Sequence, residues 1–260
     1  MKPRALVLTG YGLNTDYELA HGWELAGAQA ERVHLSDLIL QRVSLKDFQI
    51  AAVPGGFAYA DDLGAGKVMA ERMRAHLMGD LLRFIDDGKL IFAACNGFQV
   101  IVKLGLLPGI SEYGVQEATL ACNDSGRFED RWVYMKPEAN SNCIFTRGIE
   151  SLYLPVRHGE GKFVPKDEGV LKQMEANGQI ALRYVDEYGC PAGYPWNPNG
   201  SIESIAGISD PTGRIFGLMP HPEAYLYRYN HPRWTREELP EEGQGLQVFK
   251  NAVEYVKREL

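Results

Sequence analysis

The stretch Lys89-Leu90-Ile91-Phe92-Ala93-Ala94-Cys95-Asn96-Gly97-Phe98-Gln99 sets an unbroken apolar run directly against a cysteine and a glycine. Leu90 to Ala94 lacks polar alternation, the pattern of a strand buried on both faces of a parallel sheet. Phe98 to Leu104 continues as a helix, which places Cys95 at a helix N-terminus. Free backbone N–H groups and the positive end of the helix dipole favour an anion there, which is how such positions lower a thiol's pKa and raise its nucleophilicity. Ala93, Ala94 and Gly97 are small enough for a sharp turn. The stretch therefore reads as a nucleophile elbow. The competing reading is a thiol that only packs, because free cysteines are among the most buried residue types.

The flanking sequence repeats the strand-to-helix pattern. Arg4 to Thr9, Glu31 to Leu35 and Ile50 to Val53 read as strands, and Thr15 to Ala28 as a helix. Gly66 to Asp86 is a long amphipathic helix in which Met69, Met73, Leu77 and Leu81 recur every four residues, a core stripe. This alternation predicts an α/β fold, a mostly parallel sheet with helices on both faces. Ligands of such sheets bind at the carboxyl ends of the strands. Pro54-Gly55-Gly56 follows one strand, Cys95 a second, and Met219-Pro220-His221-Pro222-Glu223 a third, Ile215 to Leu218.

That last block supplies what a cysteine nucleophile needs. Residues two apart in an extended chain point the same way, so Glu223 can hold the ring of His221. Pro220 and Pro222 stiffen the pair. Cys95, His221 and Glu223 make a nucleophile, base and orienter.

These residues resemble the triad-type (class I) glutamine amidotransferases, which implies a flavodoxin-like fold. Six blocks narrow the resemblance: residues 54–61, 94–99, Ser125-Gly126-Arg127-Phe128-Glu129, Pro155-Val156-Arg157-His158-Gly159-Glu160-Gly161, Asn197-Pro198-Asn199-Gly200-Ser201 and 217–223. In this order they are similar to the family of glutaminase subunits of phosphoribosylformylglycinamidine synthases, from about residue 4 to the C-terminus. The resemblance implies glutamine as substrate and an oxyanion held by backbone N–H groups of Gly55, Gly56 and Phe57 and of Asn96. Gln99, His158, Gly159 and Glu160 are candidates for holding glutamine or shaping its pocket; polar packing is the alternative for Gln99 and His158. Two positions depart from the family pattern: Ala93 stands where glycine is usual, and Ala58 where serine is common. Any bond made through that serine hydroxyl is not carried over.

The resemblance also implies partners. The chain shows no nucleotide site of its own, so ATP and Mg2+ are expected on a separate synthetase (large) subunit, with a small accessory subunit between the two. Gly64-Ala65-Gly66-Lys67 is not a phosphate loop, since residue 61 is Asp where that motif needs Gly, and Val68 replaces its Ser or Thr. Gly10-Tyr11-Gly12-Leu13-Asn14 lacks the third glycine of a dinucleotide fingerprint. No cofactor is expected in the chain itself. No metal is expected either, because the His158/Glu160 and His221/Glu223 pairs lack a third ligand nearby.

Composition sets the remaining bounds. The 260 residues, 45% hydrophobic, can bury one substantial core, and no linker or repeat divides them, so residues 1–260 are expected as a single domain. A net charge of −7 argues against a nucleic-acid surface, and no membrane span is evident. Four cysteines without close spacing point to a reducing compartment, and residues 1–10 lack a signal peptide's apolar core, so the cytoplasm is expected. Two other classes stay open on the residues alone: a thiol hydrolase or peptidase of related fold, and a non-catalytic cysteine-based interaction or redox module. Residues 225–243, where Arg228, Arg233 and Arg236 alternate with Tyr229 and Trp234, are either a contact surface or a solvated loop packing its own aromatics.

Overall fold

The computed structural model describes residues 2–260. In chain order the elements are β1 (Arg4–Thr9), α1 (Asp16–Leu25), β2 (Gln29–His34), α2 (Leu35–Ile39), β3 (Ile50–Val53), α3 (Lys67–Asp86), β4 (Leu90–Ala94), α4 (Asn96–Leu104) and β5 (Ala118–Ala121). The second half adds β6 (Glu129–Pro137), β7 (Leu152–His158), β8 (Lys162–Pro165), α5 (Glu168–Ala176), β9 (Ile180–Val185), β10 (Ile205–Ser209), β11 (Ile215–Leu218) and α6 (Gly245–Glu259).

Nine strands form one sheet in the order β2-β1-β3-β4-β11-β10-β9-β6-β7, and β5 pairs with β8 apart from it. From β2 to β11 the sheet is parallel. Beyond β11 it is antiparallel. The parallel half carries all three strand-end motifs. The switch has a local cause at β10–β11, where residues 210–214 are too few for a crossover and return the chain beside itself. Asp210 Oδ1 closes that turn by accepting the N–H groups of Arg214 and Ile215 at 2.9 and 2.8 Å.

The unbroken apolar runs are explained by burial on both faces. Leu6, Leu8, Ala51, Val53, Ile91 and Ala93 meet Met69, Met73, Leu77 and Leu81 of α3 on one side. Their neighbours in sequence, Ala5, Val7, Ile50, Ala52, Leu90 and Phe92, face Leu19 and Trp23 of α1 and Phe249 of α6 on the other. Phe92 is central there, its ring 5.6 Å from Phe249 and 5.8 Å from Trp23. Burial of each Leu, Ile, Val, Met or Phe side chain among these contributes about 1.5–3 kcal/mol.

Element ends differ from expectation where a single residue redirects the chain. The first helix stops at Leu25, before Gly27 turns left-handed at φ 97°. The second strand ends at His34 because its Nδ1 accepts the Ser36 N–H at 3.2 Å and starts α2. The fourth helix starts at Asn96, two residues earlier than expected. Residues 225–243 fold back on β6 and β7: Arg233 lies over the Tyr153 ring at 5.3 Å, and His231 packs on Trp132. Tyr229 and Trp234 stay exposed. No helix among the described residues is long and apolar enough to cross a membrane.

Candidate active site

Strands β3, β4 and β11 are neighbours, so the segments leaving their carboxyl ends converge. Cys95 leaves β4 with φ 50° and ψ −110°, a backbone state outside the common regions for a side chain of this kind. Its N–H still extends the β4–β11 ladder, donating to the Leu218 carbonyl at 2.8 Å. Gly97 is obligatory two residues on: a Cβ there would lie 2.0 Å from the Val53 carbonyl oxygen, so only glycine lets α4 pack against the end of β3. The thiol is buried, and its Sγ is 3.5 Å from the Arg157 carbonyl oxygen of β7.

His221 and Glu223 meet as their spacing implied, by a different route. Pro222–Ala224 forms a turn of 3-10 helix, with proline at a position that needs no N–H, and the turn swings the carboxylate back onto the ring. Glu223 Oε1 is 2.6 Å from His221 Nδ1, and both side chains are almost fully buried. The His221 N–H donates to the Pro155 carbonyl at 2.9 Å, which docks the segment on β7. Burial alone would lower the His221 pKa, but the Glu223 carboxylate and Cys95 outweigh it and push it up to about 10. His221 therefore carries a proton at neutral pH. Gly55 lies between the two halves: a Cβ on it would meet His221 Cε1 at 2.9 Å and Cys95 Cβ at 3.5 Å.

The loop after β3 divides the donors assigned to it. The Gly55 N–H is taken by Thr15 Oγ1 and the Phe57 N–H by the Gly12 carbonyl, each at 2.9 Å. Only the N–H groups of Gly56 and Asn96 find no acceptor among the described residues. Phe57 instead stands half exposed at the rim, its ring 6.4 Å from Phe128. Asn96 does more than offer a backbone donor. Its Oδ1 accepts the Ala58 N–H at 3.0 Å, and its Nδ2 donates to Asp61 at 3.1 Å and to Gln99 Oε1 at 2.9 Å. These bonds hold a run of three non-glycine residues, Tyr59, Ala60 and Asp61, all with φ near 56°. Ala58 and Ala93 are both fully buried, so the two departures from the family pattern are accommodated by packing.

A cavity of about 140 Å³ opens at the thiol, lined by Gly56, Asp61, Cys95, Gln99, His158 and Glu160 among others. A water occupies about 30 Å³ of liquid, so the cavity has room for a small amide side chain. Gln99 donates through Nε2 to the Glu160 carbonyl, and Glu160 Oε2 accepts the Ala65 N–H at 3.2 Å. Gly159 accepts the Asn123 N–H at 2.9 Å. His158 is buried, its Nδ1 3.1 Å from Asn123 Oδ1, and burial together with the nearby His221 drives its pKa down to about 3. The sequence did not single out Asn123, Thr15 or Lys103. Asn123 stands just ahead of the Ser125–Glu129 block, a weak cue. Lys103 was hidden inside an apolar helix, and its Nζ is 3.9 Å from Glu160. The Asn197–Ser201 block is scaffolding: Ser201 Oγ accepts the Phe163 N–H at 2.9 Å, and Asn197 Oδ1 closes its turn. Among the described residues, no group of three His, Cys, Asp or Glu side chains is placed to hold a metal.

The family model for the CobB/CobQ-like glutamine amidotransferase domain matches residues 2–256. Phosphoribosylformylglycinamidine synthase subunit PurQ of Dehalococcoides mccartyi is 46% identical over 258 residues, 99% of each chain. The PurQ subunit of Methanococcus maripaludis is 44% identical over 270 residues, 98% of each. A chain of the PurLQS structure from Thermotoga maritima superposes with a TM-score of 0.74 at 31% identity, covering 98% of this chain and 100% of that one. A Thermotoga maritima glutamine amidotransferase at 12% identity shares the fold, with a TM-score of 0.56 over the whole of both chains. A match over nearly the full length of the chain and of these relatives places it among the CobB/CobQ-like glutamine amidotransferases and, within them, in the PurQ family.

Proposed function

We propose that this chain is the glutaminase of a phosphoribosylformylglycinamidine synthase. It hydrolyses glutamine and passes ammonia to a separate ATP-dependent synthetase, which converts formylglycinamide ribonucleotide to formylglycinamidine ribonucleotide in purine (IMP) biosynthesis. The observation that carries the reading is the buried Cys95, His221 and Glu223 cluster, with His221 Nδ1 2.6 Å from Glu223 at the mouth of adjacent strands.

Cys95 attacks the side-chain carbonyl of glutamine as the thiolate, and the oxygen that becomes negative is held by the N–H groups of Gly56 and Asn96. His221 then gives its Nε2 proton to the departing nitrogen, the C–N bond breaks, and ammonia and a glutamyl thioester result. The now neutral His221 takes a proton from water, hydroxide attacks the thioester, and glutamate leaves as the thiolate is restored. Glu223 keeps the ring aligned and balances its charge. Gln99, Gly159 and Glu160 shape the pocket, with Gly55 and Phe57 as its floor and rim.

Residues 1–260 act as one amidotransferase domain in the cytoplasm and use no cofactor. ATP and Mg2+ bind the synthetase, and a small accessory subunit joins the two. Free ammonia is mostly protonated at neutral pH and then lacks its nucleophilic lone pair, which is the physical reason for enclosed transfer. The test is product formation by this chain mixed with its synthetase, from glutamine and, in parallel, from ammonium chloride. Cys95→Ala is expected to abolish only the glutamine-driven reaction. Product from ammonium alone with the intact chain would remove the assignment.

A further inference from the structure

His158 sits on the wall of the thiol's cavity with one ring nitrogen unused. The other is fixed by Asn123, whose amide orientation is not free. Its Nδ2 donates to the carbonyls of Arg127 and His158 at 2.9 and 2.8 Å. Its Oδ1 therefore faces both the Gly161 N–H, at 3.0 Å, and His158 Nδ1, at 3.1 Å. An amide oxygen cannot donate, so Nδ1 carries the ring proton and Nε2 presents a lone pair. That atom is closed to solvent and meets no donor among the described residues. The ring packs directly on Gly161, where a Cβ would be 2.5 Å from Nδ1, so only glycine leaves room for the imidazole in this position.

Gln99, Asp61 and Glu160, on the same cavity wall, do not fill this vacancy. Gln99 spends its amide on Asn96 and Glu160, and Asp61 and Glu160 are themselves acceptors. The group that must reach Cys95 is the scissile carboxamide, and its nitrogen brings the N–H donors. We propose that His158 Nε2 accepts a hydrogen bond from the carboxamide nitrogen of bound glutamine, and then from the ammonia released from it. This rests on the glutaminase reading above and adds a second histidine with the opposite task. His221 delivers the proton that completes ammonia. His158 only accepts a hydrogen bond, and because burial and the His221 charge keep its ring neutral, it has no proton to add that would turn ammonia into ammonium.

The test uses the complex of this chain with its synthetase and two substrates that form the same thioester, glutamine and the γ-methyl ester of glutamate. The ester's leaving oxygen carries no N–H. His158→Leu is expected to lower kcat/KM on glutamine roughly ten- to a hundredfold, the effect of losing one buried hydrogen bond. Ester turnover should stay within about threefold. His158→Gln, which can offer a carbonyl oxygen, should recover most of the loss. Equal losses on both substrates, or none on glutamine, would overturn the proposal, whereas an unmodified complex that never consumes glutamine would instead overturn the glutaminase assignment. Nitrogen NMR of the unmodified chain decides the point without a variant: Nε2 must be bare and Nδ1 protonated at neutral pH, and a protonated Nε2 refutes the role.

Discussion

Glu223 Oε1 lies 2.6 Å from His221 Nδ1 in a site almost closed to solvent, and this contact holds a charged imidazole beside a cysteine. Glu223→Gln removes the charge and leaves a side chain of the same shape. The imidazolium then loses its main support, and the ring can settle in the wrong tautomer. Glutamine turnover is expected to fall roughly 10²- to 10⁴-fold, as for removal of the orienting acid in comparable triads. A steady-state glutaminase assay in the presence of the synthetase checks it, and a loss below tenfold would leave Glu223 a structural role only.

His221 and His158 pull stability in opposite directions with pH. The folded pKa of His221 is raised from 6.5 to about 10, so its contribution is complete below the unfolded value and is lost as pH rises through about 10. The folded pKa of His158 is lowered to about 3, so the unfolded chain binds the extra proton and stability falls as pH drops below about 6.5. Denaturant unfolding across pH should show these two limbs. His158→Asn is expected to flatten the acid limb, and His221→Asn the alkaline one.

Asn96 ties the strained Tyr59–Asp61 run to the start of α4. Asn96→Ala leaves the buried Ala58 N–H without its acceptor, at a cost on the order of 2 kcal/mol. It also frees the loop that carries the Gly56 donor, so kcat should fall even where the protein is fully folded. Thermal unfolding and kinetics on the same preparation separate the two effects. Unchanged kcat would detach Asn96 from the oxyanion site.

Two glycines in helices should respond with opposite signs. Gly97→Ala drives a methyl group to 2.0 Å from the Val53 carbonyl and is expected to abolish activity by moving α4 away from β3. Gly79, exposed on α3, has only the Arg83 guanidinium within 4 Å. Gly79→Ala should therefore stabilise the fold by about 0.5–1 kcal/mol, read as a higher denaturation midpoint.

The local pattern of the chain carried the parallel half of the sheet and the three groups at its mouth. Strands β3, β4 and β11 are apolar throughout, and each ends in a turn whose residues are small or rigid. What stayed hidden depends on partners far apart in sequence. No periodicity tells that Thr15 takes the Gly55 N–H across 40 residues, or that Asn123 fixes the tautomer of His158 across 35. The antiparallel half was equally silent, because a strand's pattern reports burial and not the direction of its neighbour. Glu223 reached His221 through a proline turn, and spacing alone could not choose between that turn and an extended chain.

The last strand synthesised, β11, is the middle strand of the sheet, wedged between β4 and β10. Until residue 218 is made, the first four parallel strands end at an open edge on β4, and Cys95 lacks the Leu218 carbonyl that holds its N–H. A nascent or truncated chain therefore exposes a sheet edge able to pair with other chains. The same late insertion brings His221 to the thiol, so closure of the central edge and activation coincide: the chain becomes reactive only once the β4 edge is paired.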